Sequence, residues 1–250
     1  MEEEFPLLYL GQVGLLAELV ALGDKVGASE TRVRVDALHR VWIIGLSAPD
    51  SQTKLTAIKL LREPIGSSSD HIRMPAIYAV VEIAGSTDDT TVKVQALGAL
   101  AEPMQAGQVP IRDVAIDAVN QIVGGASDPG LALAAVRALA PAVASGNNGV
   151  RIPAVNALVR AVRHGGDDRA CEAALDALGG PLDSASVVGG MEVRMMAVAA
   201  TEKIGIHATG VGTKARAMGL LQAYAAKDSW EPEARRRARD AAMAIQSRIK

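Results

Sequence analysis

The chain has 250 residues, 49% of them apolar and 22% charged, with a net charge of −2 at pH 7. That is ample apolar material for a core, and it excludes a disordered polyelectrolyte. The near-neutral balance also argues against a protein built to grip a nucleic-acid backbone, which needs a basic surplus.

Taken from its start, Met1-Glu2-Glu3-Glu4-Phe5-Pro6 is acidic where a secretory signal needs positive charge, and the apolar run behind it meets Glu18 too soon to span a bilayer. Neither export nor a membrane anchor is expected. The single cysteine, Cys171, leaves no intramolecular disulfide to form and points to a reducing, cytoplasmic setting. Residues 1–24 read as an N-terminal capping helix region. Beyond them, two sets of alanines recur every thirty-nine residues: Ala37, Ala76, Ala115 and Ala154, interleaved with Ala57, Ala96, Ala135 and Ala174. Most close a phrase of apolar, basic, two variable residues, Ala, apolar, as in Val92-Lys93-Val94-Gln95-Ala96-Leu97. With Ala17, Ala197, Ala217 and Ala238 added, the anchors predict twelve helices in six pairs. The spacing stretches between Ala174 and Ala197, so residues 183–192 read as an extended inter-helix loop, and 230–250 as a C-terminal capping helix. Asp50, Asp89, Asp128 and Asp167 read as N-caps. Gly45, Gly85, Gly124-Gly125, Gly146, Gly165-Gly166, Gly179-Gly180 and Gly205 read as helix C-termini, where positive φ is wanted. The expected fold is all-α: one α-solenoid domain over 1–250, about six two-helix repeats of thirty-nine residues stacked into a superhelix.

With the alanine as position zero, positions −4, 0, +1, +4, +7 and +8 fall within an arc of about 140° on an α-helix. The small residue at zero lets neighbouring helices approach to roughly 8–10 Å between axes. The phrase with its aspartate lead-in, Asp89 to Leu97, resembles the recurring unit of the HEAT family of helical repeats, within the armadillo-like helical superfamily and near its phycobilisome-lyase-type subgroup. The resemblance covers roughly residues 10 to 248 and implies the solenoid fold; the family includes scaffolds, adaptors, lyase subunits, a metal-dependent hydroxylase and DNA glycosylases. Here the basic phrase falls on both helices of each pair, so the sequence assigns neither class to the concave side.

The basic column, Arg34, Arg73, Arg112, Arg151 and Arg194, sits at −3, inside the apolar arc and in the first turn, where a cation opposes the helix dipole. It reads as a structural ladder, each guanidinium bonding a loop carbonyl or a carboxylate, rather than as an anion-binding stripe. Recognition is expected instead from columns that point outward and change chemistry between repeats. These are His39, Tyr78, Asp117 and Asn156 at +2 of one helix class, Glu82, Gln121 and Arg160 at +6, and Lys59, Arg137 and Asp176 at +2 of the other class. The four histidines are scattered and none precedes a glutamate, so the His-Glu pairs of the HEAT-like hydroxylase are missing and no metal site or cofactor is expected. Aromatic residues make up only 2% of the chain, too few for the walls of a base-flipping enzyme. The resulting expectation is a non-catalytic scaffold or adaptor that binds a protein partner on one face of the solenoid, with no catalytic residues, no membrane contact and no nucleic-acid ligand. A HEAT-like enzyme or enzyme subunit, a chromophore-lyase component or a glycosylase, is the alternative. An acidic beginning and a basic final helix, Arg235, Arg236, Arg237 and Arg239, also suggest head-to-tail self-association.

Overall fold

The computed structural model describes residues 11–106, 108–124, 127–183, 190–227 and 229–249. Among the described residues the chain forms twelve α-helices and no strand: α1 (Gln12–Val26), α2 (Thr31–Ser47), α3 (Ser51–Ile65), α4 (Asp70–Gly85), α5 (Thr90–Leu100), α6 (Val109–Val123), α7 (Pro129–Val143), α8 (Asn148–Gly165), α9 (Asp168–Asp183), α10 (Gly190–His207), α11 (Val211–Ala225) and α12 (Pro232–Gln246). A short 3-10 helix, Pro103–Gln105, follows α5. No described helix is long and apolar enough to cross a membrane.

The helices fall into two compact units, Met1–Pro103 and Met104–Lys250. In the first, α2 packs on α4 in one layer, and α1, α3 and α5 form the other. In the second, α6, α8, α10 and α12 stack successively in one layer, and α7, α9 and α11 in the other. Sequence-adjacent helices also pack, so each unit is a double-layered stack of antiparallel helical hairpins.

The alanine rhythm explains this packing. Eleven of the twelve anchors, one per helix from α2 to α12, are buried, and the apolar arc is buried with them: in α3, Ala57, Ile58, Leu61 and Ile65 are all buried. The exception is Ala17, which is exposed. Helix α1 instead buries Leu15, Leu19, Leu22 and Val26. Its register is one residue later than the Ala17 anchor predicted, and Glu18 holds position zero, paired with Arg40 of α2.

Helix starts follow the aspartate expectation. Asp50 accepts from the Thr53 amide at 2.8 Å, Asp89 from Thr91 at 2.7 Å, Asp128 from Leu131 at 3.0 Å and Asp167 from Ala170 at 3.1 Å, each satisfying an orphan donor. The caps also tie repeats together: Ser51 of α3 donates to Asp89, the cap of α5. Asp168 accepts from the Thr209 amide at 3.0 Å, the Gly210 amide at 2.9 Å and the Thr209 hydroxyl at 2.8 Å, joining α9 to the turn before α11.

Gly85, Gly124 and Gly165-Gly166 do close α4, α6 and α8, but the conformation at the helix ends differs from the expectation. At the glycines that follow α1, α3, α6 and α8, φ is −95° at Gly27, −75° at Gly66, −58° at Gly124 and −69° at Gly166, so none adopts the left-handed region. Two of them serve close approach instead. A Cβ would stand 2.9 Å from the Asn120 carbonyl oxygen at Gly124 and 2.6 Å from that of Val162 at Gly166. Gly45, Gly179 and Gly205 are not helix ends at all, because they lie inside α2, α9 and α10, with Gly45 and Gly205 buried there. Of the expected 183–192 loop, residues 184–189 lie outside the described residues, as do residues 1–10 of the N-terminal capping region.

Candidate functional site

The basic column turns its cationic groups toward the loops. Three guanidiniums reach back to the turn just left by the chain: Arg34 Nε donates to the Val26 carbonyl at 3.1 Å, Arg73 Nε to Ser67 at 2.6 Å and Arg151 Nε to Ser145 at 2.9 Å. Those acceptors lie at or just past the end of the preceding helix, where free carbonyls and the negative dipole end gather. Arg112 pairs with Asp113 at 2.9 Å. Arg194 pairs with Glu231, the N-cap residue of α12, at 2.8 Å and lies 5.6 Å from the centroid of the Trp230 ring, which in turn stacks on Tyr224. The Glu231 carboxyl is held below its ordinary range, first by its own backbone amide and next by Arg194. In the other class, buried Lys54 donates to the carbonyls of Gly45 at 3.1 Å and Leu46 at 3.2 Å and to Ser86 Oγ at 2.7 Å, bridging the ends of α2 and α4. Burial pushes the pKa values of Lys54 and Arg151 down, the expected cost of withdrawing a cation from water.

All ten outward candidates are exposed. Seven belong to even-numbered helices: His39, Tyr78 and Glu82 in the first unit, Asp117, Gln121, Asn156 and Arg160 in the second. Lys59, Arg137 and Asp176 lie on odd-numbered helices, α3, α7 and α9. Asp176 is moreover engaged in an ion pair with Arg216 of α11.

In the first unit, the imidazole of His39 meets the ring of Trp42 edge-on at 5.5 Å, and Trp42 Nε1 donates to Glu82 at 3.0 Å. Tyr78 lies beside this group on α4 with half of its surface in solvent, making a small aromatic and acidic face. In the second unit the even-numbered layer carries shallow grooves. One of about 160 Å³ runs between α6 and α8, with Asn120, Arg160 and His164 on its walls. A larger one of about 340 Å³ lies between α8 and α10, lined by Asn156, Arg160, Arg163, Met196, Ala199 and Lys203 among others. A third, of about 370 Å³, opens near the start of α6 and α8 around Asp113, Asp117 and Pro153.

Sequence reasoning missed Arg163 and Lys203. Lys203 stands six residues after Ala197, in the same column as Arg160, but the column was read only as far as the repeat in which the thirty-nine-residue ruler holds. Arg163 lies one turn beyond Arg160, outside the column considered.

Burial, with Asp168, Asp167 and Glu172 adding to it, pushes the Cys171 thiol up to about 12, which keeps it protonated and poorly nucleophilic. No group of three or more His, Cys, Asp or Glu side chains among the described residues is placed to hold a metal ion.

No family model and no curated protein sequence matches the chain. Solved structures do. A designed armadillo repeat protein in complex with the peptide (KR)4 is 18% identical, with a TM-score of 0.50, over 91% of this chain and 99% of that one. An archaeal HEAT-like repeats protein from Thermococcus onnurineus NA1 is 13% identical, with a TM-score of 0.49, over 95% of this chain and 91% of that one. Computationally designed armadillo repeat proteins for modular peptide recognition are 20% identical, with a TM-score of 0.47, over 90% of this chain and 99% of that one. With the stacked helical hairpins of each unit, the match at 0.50 shows an all-α helical-repeat fold like that of the designed armadillo repeat protein.

Proposed function

We propose that this chain is a non-catalytic scaffold or adaptor that binds a protein partner through exposed positions on its even-numbered helices. The observation that carries the reading is the contrast between the two sets of columns. Inward positions repeat small and apolar residues with near-constant chemistry, whereas the outward His39, Tyr78, Asp117 and Asn156 change from repeat to repeat and are all exposed. Stacking does not constrain such positions, so their chemistry is free to be set by a ligand. Grooves between α6, α8 and α10 offer room for a peptide or for one side of a helix. That a designed protein of similar fold holds a peptide is consistent with this kind of ligand. The cytoplasm is the setting we assign, from the lone, buried thiol.

The test is affinity capture from native lysate. Replacing Tyr78, Asp117 and Asn156 together by alanine should leave helicity and melting nearly unchanged and deplete the captured protein. Undiminished capture would remove these positions from the site. Sedimentation of the isolated chain at low ionic strength addresses head-to-tail self-association: a concentration-dependent rise in mass is the supporting result, and monomer throughout excludes it.

A further inference from the structure

We infer that the groove between α8 and α10 docks an acidic, amphipathic peptide segment of a partner protein. The inference rests on the reading that exposed positions on the even-numbered helices take a protein ligand, and it names that ligand's chemistry. Arg160, Arg163 and Lys203 are exposed and line the same groove. None of the three makes an ion pair or a side-chain hydrogen bond with any described residue. Three other cations on α6, α10 and α12 are occupied: Arg112 by Asp113, Arg194 by Glu231 and Arg237 by Glu202. The one carboxylate next to Lys203 in sequence is thus already held elsewhere, and three like charges are left facing solvent together. Like charges gathered without partners raise the local potential for an anionic ligand and speed its encounter.

The apolar lining supplies the second half of the recognition. Val155 and Val159 of α8 and Met196 and Ala199 of α10 line the same groove, the first two buried and the last two half-buried. The short Ala199 leaves the space open, and a flexible methionine adapts to differing apolar side chains. A helix presenting apolar residues at i, i+3 and i+4 with glutamates on either flank would place each kind of side chain against its complement. Single-stranded nucleic acid is the less fitting anion, because no aromatic ring lines this groove to stack a base.

The test uses the full chain and fluorescence anisotropy with labelled synthetic peptides. The probes are a Glu/Leu amphipathic helix, its glutamine counterpart and its lysine counterpart, with a single-stranded oligonucleotide as competitor. The acidic peptide should bind about tenfold or more tightly than the other two, and its binding should weaken with added salt. Arg163→Glu with Lys203→Glu should reverse the preference between acidic and lysine peptides at unchanged melting temperature, and Lys203→Gln should give an intermediate loss. Equal binding of the acidic and glutamine peptides, or an unaltered preference in the reversed variant, would overturn the proposal. Displacement of the peptide by lower concentrations of oligonucleotide would assign the groove to nucleic acid instead. If the lysate partner survives the charge reversal but is lost on replacing Tyr78, Asp117 and Asn156, the docking positions stand and this groove assignment falls; if neither set of replacements affects capture, both fall.

Discussion

A Cβ placed on Gly45 would stand 2.8 Å from the Cβ of Ala57, on the facing helix α3, and 2.5 Å from Ile83 Cδ1 of α4. The same triad recurs in the second unit, where a Cβ on Gly205 would stand 2.7 Å from that of Ala217 and 2.5 Å from Ile245 Cδ1. In each case the glycine follows the anchor alanine of its helix by two turns, Ala37 in α2 and Ala197 in α10. Three helices therefore meet where one of them has no side chain, and the contact sets how closely hairpin and neighbour can nest.

Gly45→Ala and Gly205→Ala should accordingly each destabilise their unit by about 1–3 kcal/mol through overpacking, despite the gain in helix propensity. Gly219→Ala is the control: it lies exposed within α11 with nothing near its Cβ position, so it should stabilise by about 0.5–1 kcal/mol. Urea titrations read both. A Gly45→Ala variant as stable as the parent would mean that Ile83 and Ala57 yield without cost.

Lys54 should behave as a structural clamp. Lys54→Met keeps the length of the side chain but abandons the carbonyls of Gly45 and Leu46 and the hydroxyl of Ser86, and should lose about 1–3 kcal/mol. Lys59→Met, on the exposed side of the same helix, should fall within about 0.5 kcal/mol of the parent. Indistinguishable denaturation curves for the two variants would show that water replaces the ammonium at the helix ends.

Acid should weaken the tie between α9 and the turn before α11. The Asp168 carboxyl is held below its ordinary value of 3.8, first by the Gly210 amide and further by the Thr209 hydroxyl and amide. A depressed folded value means that its stabilisation is complete above 3.8 and is lost as pH falls through the lower folded value. Asp168→Asn should cost about 1 kcal/mol at neutral pH, discounted for partial exposure. The gap between variant and parent in thermal melts should then close in acid below 3.8. A gap independent of pH would show that the carboxylate charge plays no part in the tie.

Much of the fold was legible because its determinants are periodic and local. A buried alanine per helix, an aspartate two or three residues before the amide that it caps and a flanking apolar arc are enforced by helix geometry alone, and from α2 onward the anchors fall where the spacing places them. At Ala17 the reading slipped by one residue, since a glutamate, Glu18, occupies the small position and is accommodated by Arg40 from another helix. The outward columns were likewise visible as exposed positions, because an angle around a helix axis decides which side chains meet water.

What needed the tertiary structure was whatever depends on two helices at once. Gly45 and Gly205 read as helix ends in one dimension, and only the distance to Ala57 and Ala217 shows them to be points of contact. Arg163 and Lys203 come forty residues apart in sequence, and only the packing of α8 on α10 sets them around one groove. A sequence fixes which face of each helix avoids water through the pitch of the helix itself. Which side chains of different helices share a space is decided by close packing, where a few tenths of an ångström settle whether a side chain fits.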